Sequence, residues 1–184
     1  MTECNYIYKL NTKNDECWTE RYAVEPLLKY LEVFRDKIIW CPFDTEESEY
    51  VKIFQENNYK VIYSHIWNGQ DFYNYEPKKW DLIISNPPFS NKRNMFERVL
   101  SFKKPFALLM TITLLNDAIA TDLFKDKELQ LLLFDRRMQF KNKNKKDKIN
   151  FSSGYFCQNF LPRQIIFEEL IINGKGRRKR KCQN

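Results

Sequence analysis

Glycine and histidine are scarce in this chain. Four glycines stand among 184 residues, Gly69, Gly154, Gly174 and Gly176, and the one histidine is His65. The five cysteines, Cys4, Cys17, Cys41, Cys157 and Cys182, are odd in number and have no paired spacing. Neither a disulfide framework nor a zinc or other metal site is therefore expected, and reduced, mostly buried thiols are. No stretch approaches the ~18 uninterrupted apolar residues of a membrane span, and Met1 to Asn5 lacks a basic region followed by an apolar one. These absences lead to the expectation of a soluble protein of the cytoplasm with no membrane partner. No internal repeat is present.

What is there is a core-forming composition. Hydrophobic residues make up 43%, with fifteen Phe, ten Tyr and four Trp, enough for a folded globule of one domain. The division expected is a single domain over 1–173 and a basic, disordered tail over 174–184. The net charge of +7 is concentrated. Lys141, Lys143, Lys145, Lys146 and Lys148 against Asp147 carry +4, and Lys175, Arg177, Arg178, Lys179, Arg180 and Lys181 carry +6, leaving the rest of the chain at −3. A basic loop and tail on an acidic body suit attachment to a polyanion, although solvated lysine runs without function are also common.

Strand-like and helix-like segments alternate. Pro26 to Phe34 reads as an amphipathic helix with proline in its first turn, and Lys37 to Cys41 as a buried strand. Asp44 and Glu47 have capping-box spacing ahead of a second helix whose apolar face is Tyr50, Val51 and Phe54. Strands follow at Lys60–Ile66, Asp81–Ser85, Phe106–Ile112 and Leu129–Phe134, with helices at Met95–Phe102 and Asp117–Phe124. Trp67 to Lys79 reads as loop. Such alternation predicts an α/β fold with a mostly parallel sheet covered on both faces. Tyr155–Phe160 and Gln164–Leu170 lie too close together for a helical crossover, so they are expected as an antiparallel addition at the sheet edge.

The most informative segment is Asn86-Pro87-Pro88-Phe89, directly after the apolar run Asp81 to Ser85. Two prolines stop a strand with a rigid, hydrogen-bond-poor turn at its carboxyl end, where open α/β sheets bind ligands. The Asn86 amide oxygen and the Pro87 carbonyl are two acceptors able to hold both hydrogens of an exocyclic amine, and Phe89 offers a flat face for a planar base.

This motif, in this alternation, resembles that of the amino methyltransferases that use S-adenosylmethionine (SAM), in which Asp/Asn/Ser-Pro-Pro-aromatic is the catalytic tetrapeptide. The asparagine form with phenylalanine is typical of adenine-N6 and some guanine-N2 enzymes. The resemblance spans roughly Asp15 to Leu170 and is nearest to small phage-borne orphan DNA adenine methyltransferases. It implies a Rossmann-like fold with a seven-stranded sheet, SAM as cofactor, double-stranded DNA as partner, and a setting such as restriction-modification in the host cytoplasm. Asn86, Pro87, Pro88 and Phe89 then take the catalytic positions. Trp18 to Val24 resembles the amino-terminal cofactor motif, with Glu20 where that motif usually has proline, and Thr19 and Tyr22 would be the contacts. Pro42 and Asp44 occupy the main cofactor turn, His65 the end of the second strand, and Asp71 the later loop that contacts the cofactor adenine; Asn86 would also touch the cofactor. Phe151 to Phe156 matches the late aromatic motif, with Tyr155 or Phe156 against the flipped base. Lys143, Lys145, Lys146, Arg177, Arg178, Lys179 and Arg180 would contact phosphates.

One departure bears on all of this. The main cofactor turn of that family carries Gly-x-Gly because the backbone approaches the ligand closely, and no glycine lies between Cys41 and Asp44. Asp44 is then either a contact to the cofactor amine or a helix cap, and His65 a ligand or a local packing residue. Cys157 reads as core. The alternatives to a DNA enzyme are an RNA adenine or guanine methyltransferase, a protein glutamine methyltransferase, and a non-catalytic nucleic-acid-binding protein on a degenerate methyltransferase fold.

Overall fold

Every residue of Leu82–Ser85 and of Phe106–Thr111 is buried, the mark of strands covered on both faces. A computed structural model of the chain describes residues 17–142 and 145–176. In chain order the elements are β1 (Cys17–Trp18), α1 (Arg21–Val24), a 3-10 turn over Glu25–Leu27, α2 (Leu28–Leu31), a 3-10 turn over Glu32–Phe34, β2 (Ile38–Cys41), α3 (Glu49–Glu56), β3 (Lys60–Tyr63), β4 (Leu82–Ser85), α4 (Lys92–Ser101), β5 (Phe106–Thr111), α5 (Ala118–Phe124), β6 (Gln130–Phe134), β7 (Met138–Asn142), β8 (Lys145–Phe151), β9 (Ser153–Gln158) and β10 (Ile165–Glu168). Among them no helix is long and apolar enough to cross a membrane.

Seven strands form one mixed sheet in the order β10-β6-β9-β5-β4-β2-β3, and β1, β7 and β8 form a second, three-stranded antiparallel sheet. The period of two along each strand sorts the core into two layers. Ile39, Cys41, Leu82, Ile84, Ala107, Leu109, Leu132, Tyr155 and Cys157 face the layer that holds Leu27, Leu31, Tyr50 and Phe54. Their alternates Trp40, Ile83, Phe106, Leu108, Met110, Leu131 and Phe156 face Phe96 on α4 and Leu123 and Phe124 on α5. An α/β sheet with helices on both faces is thus what the strand pattern anticipated.

Two expectations are corrected. The antiparallel strand is not at the edge: β9 lies between β5 and β6, antiparallel to both, while the edge strand β10 pairs with β6 in parallel. The last two β-rich runs do oppose each other, but they are not neighbours. Residues 159–164 need only cross the end of β6, two strand spacings or about 10 Å. The buried Gln130 at that end holds the crossing, its Oε1 accepting from Phe160 N and Leu161 N (2.9 and 3.0 Å) and its Nε2 donating to Leu161 O (2.7 Å). The second correction concerns the lysine-rich run, expected as a loop: residues 141–142 close β7 and 145–148 open β8, paired at Asn142 and Lys145. Its polar run shows no period-two apolar pattern, so nothing local marks it as strand. Tyr22 ties this small sheet to α1, its hydroxyl donating to Gln139 O (3.0 Å) and accepting from Gln139 N (2.8 Å). Gly174 sits in a turn closed by the Ile172–Lys175 bridge, and residues 177–184 of the expected tail lie outside the described residues.

Gly154 is where the central sheet accepts no side chain. A Cβ there would stand 2.9 Å from Leu132 O, Ile112 Cδ1 and Leu133 Cδ2. Gly154→Ala is therefore expected to lower stability by about 1–3 kcal/mol, because a backbone oxygen of a paired strand cannot yield. Urea unfolding checks this, and an unchanged midpoint would contradict it.

Candidate active site

Three parallel strands, β2, β4 and β3, end on one side of the sheet, and the segments that leave them meet there. β4 stops at Ser85 because Pro87 and Pro88 have no N–H to continue the ladder. Pro87 is buried, Pro88 exposed, and Phe89 half-buried against the second core layer. Asn91, in the left-handed region at φ 59°, turns the chain into α4.

Asn86 has an asymmetric environment. Its Nδ2 donates to Thr19 Oγ1 at 3.1 Å, while its Oδ1 is buried without a hydrogen-bond partner. An acceptor left in that state costs about 1–3 kcal/mol, and buried polar atoms without partners are rare enough in folded proteins to point to a role.

Asp44 lies beside it. Its carboxylate is buried and both oxygens are engaged: Ser48 Oγ donates to Oδ1 and Ser85 Oγ to Oδ2, each at 2.5 Å. Burial pushes its pKa from 3.8 up to about 6, against the opposing pull of the two hydroxyls. The helix-cap reading of Asp44 is corrected here: the cap of α3 is Ser48, whose Oγ accepts from Tyr50 N at 3.2 Å. Asp44 instead joins three segments, the turn after β2, the start of α3 and the end of β4.

The glycine-free turn is built without left-handed residues, since none of 42–44 has positive φ. Asp44 N donates to Ser64 O at 3.2 Å and Ser64 N to Cys41 O at 3.1 Å, fastening the turn to the end of β3. Phe43 packs on Phe72 with ring centroids 4.7 Å apart, which brings the loop of Asp71 against the same turn. Thr19, Pro42, Asp44, His65, Asp71 and Asn86, scattered through the sequence, therefore stand on segments that converge.

Their polar atoms are partly engaged within the protein. Asp71 Oδ1 accepts from Tyr73 N (3.2 Å) and Oδ2 from Asn74 Nδ2 (3.3 Å), holding its own turn. His65 Nδ1 accepts from Trp67 N (3.2 Å), capping a 3-10 turn over Ile66–Asn68, and partial burial lowers its pKa. The Tyr22 hydroxyl is occupied by β7, as described above.

The expectation for Tyr155 is corrected. Its side chain is fully buried in the first core layer, and its hydroxyl donates to Ala23 O at 2.8 Å, so it offers no face to nucleic acid. The reason is register: pairing with Leu109 and Leu132 points it into the sheet's covered face. Lys145 and Lys146 belong to β8, and Lys143, Arg177, Arg178, Lys179 and Arg180 lie outside the described residues. The residues that sequence reasoning passed over are Ser48 and Ser85, which hold the Asp44 carboxylate. Ser85, a polar residue closing an otherwise apolar strand just before Asn86, was the signal available.

No protein-family model and no curated protein matches the chain. Among solved structures, the crystal structure of a putative RNA methyltransferase from Pyrococcus horikoshii is similar at 11% sequence identity, with 85% of this chain and 97% of that chain covered and a TM-score of 0.45.

Proposed function

We propose that this protein transfers a methyl group from SAM to an exocyclic amine of a nucleobase, with the N6 amine of adenine in DNA as the substrate. The observation that carries this reading is the unpartnered Oδ1 of Asn86 at the carboxyl end of β4, followed by a proline carbonyl. An aromatic amine is a poor nucleophile because its lone pair is delocalised into the ring. Two acceptors that bind its hydrogens hold the nitrogen in a geometry where the lone pair faces the electrophile. Binding the amine also satisfies Oδ1. Phe89 packs the base plane, and a base-paired adenine leaves the helix to reach the site. When bound, SAM supplies the electrophilic methyl carbon; Thr19, Pro42, Asp44, His65 and Asp71 would hold it by their place on the converging segments.

The test is transfer of labelled methyl from SAM to separate DNA and RNA substrates, followed by digestion to nucleosides. Labelled N6-methyldeoxyadenosine is the expected product. Label in RNA nucleosides alone moves the reading to an RNA enzyme, and label in neither overturns it.

One observation favours a second reading, a nucleic-acid-binding protein without transfer activity: both Asp44 oxygens are taken by serines rather than left for a cofactor amine. In either reading the basic carboxyl-terminal residues contact phosphates. Ending the chain before Arg177 removes Arg177, Arg178, Lys179, Arg180 and Lys181. The slope of log affinity against log salt is then expected to flatten by up to about four. Fluorescence anisotropy across a salt series reads this, and an unchanged slope would show that these residues make no contact.

A further inference from the structure

We infer that the outer edge of β10 is where two copies of this chain join, antiparallel and two-fold symmetric, with Phe167 of each copy against Ile165 of the other. The inference does not depend on how Asn86 is read.

Among the described residues β10 has a neighbour on one side only, β6. Gln164 O accepts from Leu131 N (2.7 Å) and Glu168 O from Asp135 N (3.1 Å), so the even-numbered residues turn their backbone groups to β6. Alternation along the strand then points the N–H and C=O of Ile165 and Phe167 outward. Such an edge is a template for another strand, and soluble proteins blunt it with charges, proline or a bulge. Within β10 the side chains left exposed are instead apolar: Ile165 is 50% and Phe167 76% exposed, while Ile166 is buried and Glu168 is tied to Lys29 and Tyr30. The second core layer ends on β6, at Leu131 and Leu133, the register partners of Ile165 and Phe167.

The segment's own order of residues points to a second copy as the occupant. Outward backbone groups of two copies meet when odd-numbered residues face odd-numbered ones, which over β10 centres the two-fold axis on Ile165, Ile166 or Phe167. An axis at Ile165 sets Phe167 opposite Arg163, and one at Phe167 sets Ile165 opposite Glu169. The axis at Ile166 alone sets Ile165 opposite Phe167 and Arg163 opposite Glu169, each twice by symmetry. Arg163 and Glu169 are both exposed. Opposite charges and apolar pairs facing across strands stabilise a sheet, and like charges destabilise it. On the other face the same register places the Gln164 amide opposite the Glu168 carboxylate. Arg163-Gln164-Ile165-Ile166-Phe167-Glu168-Glu169 is thus complementary to itself. The pairing carries the seven-stranded sheet into the second copy, and β6, β9 and β5 separate it from β4, so the candidate active site stays open.

The experiment measures the oligomeric state of the full chain by sedimentation equilibrium, for the parent and for Phe167→Asp, Arg163→Glu, Glu169→Arg and the double variant Arg163→Glu/Glu169→Arg. One strand pairing buries less than a standard interface, so the parent is expected to pass from monomer to dimer between about 1 and about 200 µM. Phe167→Asp is expected to stay monomeric over that range. Each single charge reversal sets like charges opposite each other and weakens association by about tenfold, and the double reversal returns it to near the parent value. Amide exchange of Ile165 and Phe167 slows with concentration in the parent. A parent that remains monomeric overturns the inference and gives the edge to another occupant, and a Phe167→Asp variant that dimerises like the parent also overturns it. A double reversal as weak as the single ones, or a dimer that leaves exchange of both amides unchanged, overturns pairing through β10. If Phe167→Asp fails to fold, the charge reversals carry the test alone, since both positions are exposed.

Discussion

Asn86→Ala is expected to lower the proposed methyl transfer by roughly 10²–10³-fold while the fold and nucleic-acid affinity persist. In the proposed reaction Asn86 is one of two acceptors that act on the amine as its lone pair engages, the kind of preorganised contact whose removal costs on that scale. Persistence of the fold follows from the balance at the site. The substitution removes the Asn86–Thr19 hydrogen bond, worth about 1 kcal/mol, but also removes a buried acceptor that had no partner. The two changes oppose each other, so the melting temperature is expected to move little. Asn86→Asp is a sharper companion. A carboxylate has no N–H, so the substitution removes the donor that Thr19 Oγ1 accepts from and sets a second acceptor in its place. Loss of activity in both variants with circular dichroism and affinity retained is the expected outcome. Near-parental kcat in Asn86→Ala would sink the proposed function.

Asp44→Asn alters how stability depends on pH. Burial raises the Asp44 pKa from 3.8 to about 6, so the native protein holds this proton more tightly than the unfolded chain does. The contribution to stability is therefore complete below pH 3.8 and is lost as pH rises through about 6. Its full size is about 3 kcal/mol, and about 2 kcal/mol of that falls between pH 4 and pH 8. Other carboxylates act in the opposite sense: Glu32, Glu56 and Glu168 have lowered pKa values through Arg35, Arg21 and Lys29. Taking the difference between variant and parent cancels them. Urea unfolding at pH 4 and pH 8 should show the stability gap shifting in favour of Asp44→Asn at the higher pH. Parallel profiles would mean that the carboxylate is solvated or paired. The neutral side chain still offers an acceptor to one serine and a donor to the other, so the join between the three segments survives.

The strands and helices of the large sheet were legible because burial on both faces leaves long apolar runs, as in Phe106 to Thr111, and because Pro87 and Pro88 mark a strand end without ambiguity. The motif residues, Thr19 and Asp44 were singled out in the sequence, and the structure brings Asn86 to Thr19 and Ser85 to Asp44. Three things were not legible. The place of β9 inside the sheet depends on which strands its two edges pair with, and an apolar run reads the same in the middle as at the border. The strand character of Lys145 to Phe151 comes from pairing with β7 and has no local hydrophobic pattern behind it. Tyr155, read as an aromatic face for a base, was assigned by type and neighbourhood, and register alone turned it inward.

From composition and order of residues came the class of fold, the proline-terminated strand and the pair of acceptors that make Asn86 chemically interesting, since these rest on local geometry and periodicity. Tertiary contact settled the state of those groups. Ser85 stands 41 positions from Asp44 and Thr19 stands 67 from Asn86, and a hydrogen bond's partner or a carboxylate's pKa depends on what surrounds it in space. Residue type therefore identifies the acceptor, and only the packed neighbours determine that its oxygen, rather than its nitrogen, is the end left without a partner.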